Sequence, residues 1–186
     1  MSFHINKSLI VSLLITFGMI LVGCADPEDD HEESQDAHVC EHLVDGPSAS
    51  LTAMAALEDA LDAVNADNSY RVQAQLHTRY DVTFPADTTG SYSGYIPYLP
   101  IVGDGDYVLY ADAAVNITIL NHSEDNAVVT PETVMDHSDD CPSVAFKGIY
   151  HLHSEDVYLI QVTGAPDALI GMLFPAFQGE DDDHDH

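Results

Sequence analysis

Eleven histidines stand among 32 acidic residues in this 186-residue chain. Imidazole beside carboxylate is the ligand chemistry of Zn(II), Cu(II) and Ni(II). Two arrangements go beyond composition. His151 and His153 sit two apart in the run AFKGIYHLH, residues 145–153. Strand side chains alternate, so both imidazoles share one face while Tyr150 and Leu152 take the other, toward a core. In an earlier run His77, Arg79 and Asp81 share the face opposite Thr78, Tyr80, Val82 and Phe84. If the two strands are neighbours, His77 or Asp81 joins His151 and His153 in a three-ligand site. The plainer reading of Arg79 and Asp81 is a surface ion pair worth under ~1 kcal/mol.

A second grouping depends on cysteine. Glu41 and His42 follow Cys40, and Asp136, His137, Asp139 and Asp140 precede Cys141. A Cys40–Cys141 bridge would bring Glu41, His42 and His137 within reach of one another. The remaining histidines lie mostly in acidic stretches, such as His31 and His38 early and His184 and His186 at the end. Such stretches bind divalent ions loosely, because no fold fixes their geometry.

Other chemistries find less support. The segment Gly90-Ser91-Tyr92-Ser93-Gly94 has the outline of a nucleophile elbow, but Tyr92 occupies the position the serine would need. No HExxH, phosphate loop or dinucleotide fingerprint occurs, so neither an enzyme nor an organic cofactor is expected. Asp104-Gly105-Asp106 has part of a calcium loop without its further ligands, and a hairpin turn explains it better. Tyr92, Tyr95 and Tyr98 could stack on a sugar if exposed, but as packing residues they need no ligand.

The first residues give the chain an address. Met1 to Lys7 carries one cation, and Ser8 to Val22 is an uncharged apolar run that ends at Leu21-Val22-Gly23-Cys24. A positive start and a short apolar stretch make a signal peptide, too short to span a bilayer comfortably. The tetrapeptide resembles the lipobox of bacterial lipoproteins. That resemblance implies a signal peptide over 1–23, diacylglycerol on the Cys24 sulfur, cleavage before it, and acylation of the new amine. Two or three acyl chains, palmitate among them, anchor a protein to a membrane where one would not. Ala25 follows the cysteine, which by the sorting rule of enteric bacteria favours the outer membrane.

With Cys24 lipidated, Cys40 and Cys141 remain. Export exposes them to oxidising conditions, so a disulfide is expected, with a thiolate metal-ligand pair as the rival. Closing a loop of 101 residues stabilises by about 4 to 5 kcal/mol on the chain-entropy account, and by less in practice.

After cleavage, 32 acidic residues face three cations, Arg71, Arg79 and Lys147, a formal charge of 3 − 32 = −29. That field repels nucleic acid and anionic lipid and attracts cations. Residues 24–38 read as an acidic, disordered tether and 179–186 as an acidic His/Asp tail. A single domain is expected over 39–178.

Within it, runs of period two or continuous apolar character are expected as strands: 78–84, 92–99, 107–112, 115–120, 145–153, 157–163 and 169–174. Pro97 suits an edge strand. Residues 121–140 read as a polar excursion. Ser50 to Asn65 has helical spacing at Leu57, Leu61 and Val64, with Thr52 as its cap and an alternative strand at 48–53 leading in. The sum is a mainly β protein, an antiparallel β-sandwich or jelly-roll-like domain with one short helix near its N-terminus. The runs GDYVLYAD, VNITIL and DVYLIQVTG are similar to those of small sandwich domains in secreted bacterial proteins.

The functional expectation is a non-enzymatic envelope lipoprotein that binds zinc or copper for uptake or buffering, with an envelope transporter or another envelope protein as partner. The alternative is a structural or interaction lipoprotein that recognises a protein or glycan and has no specific metal site.

Overall fold

The computed structural model describes residues 35–66, 72–73, 78–100 and 103–178. Cys24, His77, the acidic residues 25–34 and the acidic tail 179–186 lie outside the described residues. The chain order is α1 (Gln35–Asp45), β1 (Ser48–Thr52), α2 (Leu57–Ala66), β2 (Val72–Gln73), β3 (Arg79–Thr83), β4 (Tyr92–Leu99), β5 (Gly105–Ala111) and β6 (Asn116–Asn121). It continues with β7 (Ala127–Val129), β8 (Thr133–Met135), β9 (Phe146–Leu152), β10 (Tyr158–Ala165) and β11 (Leu169–Gln178).

Two sheets form a β-sandwich. One has six strands in the order β1-β3-β11-β5-β9-β8, and the other has five in the order β2-β4-β10-β6-β7. Pairing is antiparallel except for β1 with β3 and β2 with β4. Between the sheets lie Tyr80, Val82, Ile96, Tyr98, Tyr107, Leu109, Tyr150, Ile160 and Met172, all buried. Alternation produces this core: Tyr80 and Val82 point inward while Arg79 and Asp81 stay half-exposed on the outer face.

The apolar runs of β5 and β10 do not alternate, and each helix explains one of them. Val108, Tyr110 and Leu173 on the outer face of the six-stranded sheet are covered by Val39 and Leu43 of α1. Leu159, on the outer face of the other sheet, is covered by Ala60 and Val64 of α2. A strand buried on both faces reads as a continuous apolar run.

Three contacts fix α1. The Cys40–Cys141 disulfide joins it to the segment before β9, across 101 residues. Near its start, Asp36 accepts from Lys147 Nζ at 2.7 Å, Ser138 Oγ at 2.7 Å and Tyr110 Oη at 3.0 Å. Near its end, Arg79 Nη1 donates to the Leu43 carbonyl at 2.6 Å, where a cation also suits the helix dipole. Burial pushes the Asp36 carboxyl up, but the hydrogen bonds from Lys147, Ser138 and Tyr110 outweigh it and hold it below the ordinary value. Arg79 therefore does more than pair with Asp81, the role its exposure in sequence suggested.

Several boundaries differ from expectation. α2 begins at Leu57 rather than Ser50, and the alternative strand expected at 48–53 is the one that forms: residues 48–52 pair with β3 and Met54 bridges to Tyr95. Tertiary pairing overrides helical spacing there. A further helix, α1, occupies 35–45, partly inside the segment expected as tether. The polar excursion contains β7 and β8, three residues each. Gly103–Asp106 is not a hairpin turn: β4 and β5 belong to different sheets, and Gly105 and Asp106 are already in β5, paired with Leu152 and His151 of β9. Tyr98 is fully buried and Tyr95 accepts from Gln161 at 2.9 Å, so the tyrosines pack rather than present a stacking platform.

Candidate metal centre

The β5–β9 ladder builds the site. Asp106 and His151 are direct cross-strand partners in it. Their neighbours Tyr107, Tyr150 and Leu152 point into the core, which turns Asp106 and His151 to the outer face. Asp106 Oδ1 lies 3.0 Å from His151 Nδ1. Glu132 arrives from the next chain segment, just before β8, where its backbone N–H donates to the Ile149 carbonyl at 2.9 Å. The ligand atoms of Asp106, Glu132 and His151 all lie within 4.8 Å of one another, and among the described residues no other three His, Cys, Asp or Glu side chains converge so closely.

One nitrogen and two carboxylate oxygens, with an open outer side, match a three-ligand centre completed by water. The side chains are half-exposed, His151 at 47% and Asp106 at 39%, so an ion would exchange freely with solvent.

A second pair stands two residues along, past Gly105 and Leu152. His153 Nδ1 lies 3.4 Å from Asp104 Oδ2, and the His151 and His153 rings meet edge-on at 5.4 Å. The Asp104 carboxylate also accepts from Ser154 N at 2.8 Å and Ser154 Oγ at 3.0 Å. Those two bonds, and then His153, hold its carboxyl below the ordinary value. Asp104 is thus already engaged, and His153 flanks the centre rather than entering it.

The other expected ligands lie elsewhere. Asp81 does not reach His151 or His153, because β11 and β5 separate β3 from β9. Three strand spacings amount to roughly 14 Å. Asp81 instead accepts from Arg79 Nε at 2.8 Å. His137 pairs with its sequence neighbours, Asp136 at 2.7 Å and Asp139 at 3.6 Å. The bond to Asp136, reinforced by the Asp136 and Asp139 charges, raises the His137 pKa above 6.5. His42 Nε2 lies 3.2 Å from His38 Nε2 on α1. The disulfide brings α1 near Cys141, yet Glu41, His42 and His137 do not form a converging ligand set.

Sequence reasoning missed Asp106 and Glu132. Asp106 carried a usable signal: it is out of phase with Tyr107 and Leu109, hence outward. Its partner depended on strand register, which spacing alone does not give. Glu132 lay in a stretch with no periodicity.

No helix among the described residues is long and apolar enough to cross a membrane. No protein-family model matches the chain, and no curated protein matches it either.

Proposed function

We propose that this chain is a membrane-anchored envelope lipoprotein that binds a divalent transition metal, zinc or copper, without catalysing a reaction. The observation that carries the reading is the convergence of Asp106, Glu132 and His151 on two paired strands and the segment beside them. Imidazole selects zinc and copper over calcium and magnesium, and the two carboxylates offset the ion's charge. The surrounding negative charge raises the local cation concentration. The lipobox-like Leu21-Val22-Gly23-Cys24 supports the anchor and an outer-membrane address. A site of this openness suits capture and hand-over in uptake or buffering, with an envelope transporter as the natural recipient.

Calorimetric titration of the full chain with zinc tests the site. Asp106→Asn and His151→Ala should each remove one equivalent of micromolar binding. Unchanged titrations in both variants would refute it. Mass spectrometry of the native protein tests the anchor: a diacylglyceryl group on Cys24 is expected, and an unmodified full-length amino terminus would refute it.

A second reading, an interaction lipoprotein without a specific metal site, draws on a different feature. An open cleft of about 310 Å³ lies beside Val115, Ile117, Val134, Met135 and Phe146. Val134 beside it is 54% exposed. Zinc binding only in the millimolar range would leave this reading standing.

A further inference from the structure

The geometry points to a second, separate transition-metal site on α1, formed by His38 and His42. They stand four apart on one helix, which places both side chains on the same flank one turn from each other. Their Nε2 atoms are 3.2 Å apart. The rings meet edge-on, with centroids 4.6 Å apart and planes at 82°.

A hydrogen bond spans that separation here, and it is also close to the one a shared ion requires. With metal–nitrogen bonds of about 2.0–2.1 Å, two nitrogens on a tetrahedral ion lie about 3.4 Å apart. Adjacent nitrogens on a square-planar ion at similar bond lengths lie about 2.9 Å apart. The observed distance falls between the two, so Zn(II) or Cu(II) needs the nitrogens to shift by only a few tenths of an ångström, with loss of the shared proton and a turn of the rings that brings both lone pairs onto the ion. Two histidines at this helical spacing are also the chelating pair of a known zinc motif, HExxH.

The helix that carries the pair is unusually well held. The stripe that faces the sheet includes Asp36, Val39, Cys40 and Leu43. Cys40, between the two histidines in sequence, is disulfide-bonded to Cys141, and Arg79 grips the Leu43 carbonyl. A short exposed helix would fray and lose the pair; this one is fixed at both ends and the middle. Both histidines remain partly solvent-accessible, so water can complete the coordination. No carboxylate or thiolate among the described residues joins them in a converging set, and none of the Asp106 group does so. Among the described residues the pair thus offers two imidazole nitrogens, where the centre on β5 and β9 offers one. On ligand type alone it favours copper and zinc over harder ions more strongly than that centre does.

The test must read each histidine separately, since the acidic termini also carry imidazoles. The ¹⁵N-labelled full chain is titrated with zinc while the imidazole nitrogens are observed residue by residue. His38 Nε2 and His42 Nε2 should shift together along one saturating curve. In His38→Ala, half-saturation at His42 should need at least about ten times more zinc, and His42→Ala should do the same to His38. In Asp106→Asn/His151→Ala, the α1 pair should titrate as in the parent, whether or not zinc binds at the β5–β9 centre. The site is overturned by separate curves for His38 and His42, or by an unchanged His42 curve in His38→Ala. It is also overturned if the response disappears with His151, for the two regions would then share one ion. Amide spectra of each variant report whether α1 is still folded, and His38→Gln gives a second variant that retains a polar side chain at the position.

Discussion

Two Asp–His contacts in this molecule have nearly the same length and opposite origins. Asp106 and His151 meet at 3.0 Å although 45 residues separate them. Asp136 and His137 meet at 2.7 Å because they are adjacent in the chain. The first is set by ladder pairing, with core side chains on either side locking both backbones. The second forms on an exposed bend whose side chains are 94% and 67% accessible. In a chain this acidic, carboxylates near histidines are inevitable. Asp139 reaches His137 only at its other ring nitrogen, at 3.6 Å, whereas Glu132 brings a third ligand atom within 4.8 Å of both Asp106 and His151. Preorganisation rather than proximity distinguishes a site from a solvated pair.

The largest break in that comparison comes from the core. Tyr150 is 1% exposed and flanks His151 from inside. Tyr150→Ala should cost about 3–5 kcal/mol of stability, as for other large aromatic truncations. Chemical denaturation would measure that loss. It should also disorganise the Asp106–His151 pair while His137 keeps its raised pKa, because that contact needs no sheet.

Next in size is the ligand itself. His151→Ala should weaken zinc binding at the β5–β9 centre by about 100-fold or more, above the effect typical of groups that only support a ligand. His137→Ala should change zinc affinity there less than about twofold. Equal losses in competition titrations would erase the distinction between the two contacts. Removing the flanking residue should have an intermediate effect: His153→Ala should weaken binding by no more than about tenfold, within the range for supporting groups.

Acid should loosen the anchoring of α1. Asp36 is held below its ordinary carboxyl value in the fold, so its contribution to stability is present above about pH 4. That contribution is lost as pH falls through the lower folded value. Amide exchange in α1 should therefore accelerate below about pH 4, and Asp36→Asn should flatten that dependence. The smallest effect belongs to the bend: NMR titration should place the His137 midpoint above 6.5, and Asp136→Asn should return it toward the ordinary value.

Much of the fold was legible because periodicity reports burial. Thr78, Tyr80, Val82 and Phe84 announced β3, and the YVLYA run announced β5, though not that α1 covers its outer face. Short elements were not legible. β7 and β8 have three residues each, too few to show a period. α1 has a polar, acidic sequence with little helical signal, and partners distant in sequence hold it: Lys147, Arg79 and Cys141. The centre was half legible for a related reason. Alternation placed His151 on an outer face, but register and sheet order decided that Asp106 and Glu132, rather than Asp81, stand beside it.

The central claim, a metal centre at Asp106, Glu132 and His151, is tested most directly by backbone amide resonances of the full chain during zinc titration. The amides of these three residues should shift along one curve that saturates at micromolar zinc. If they remain in place until zinc reaches millimolar levels, the strand-held group is a solvated cluster and the proposed function fails with it.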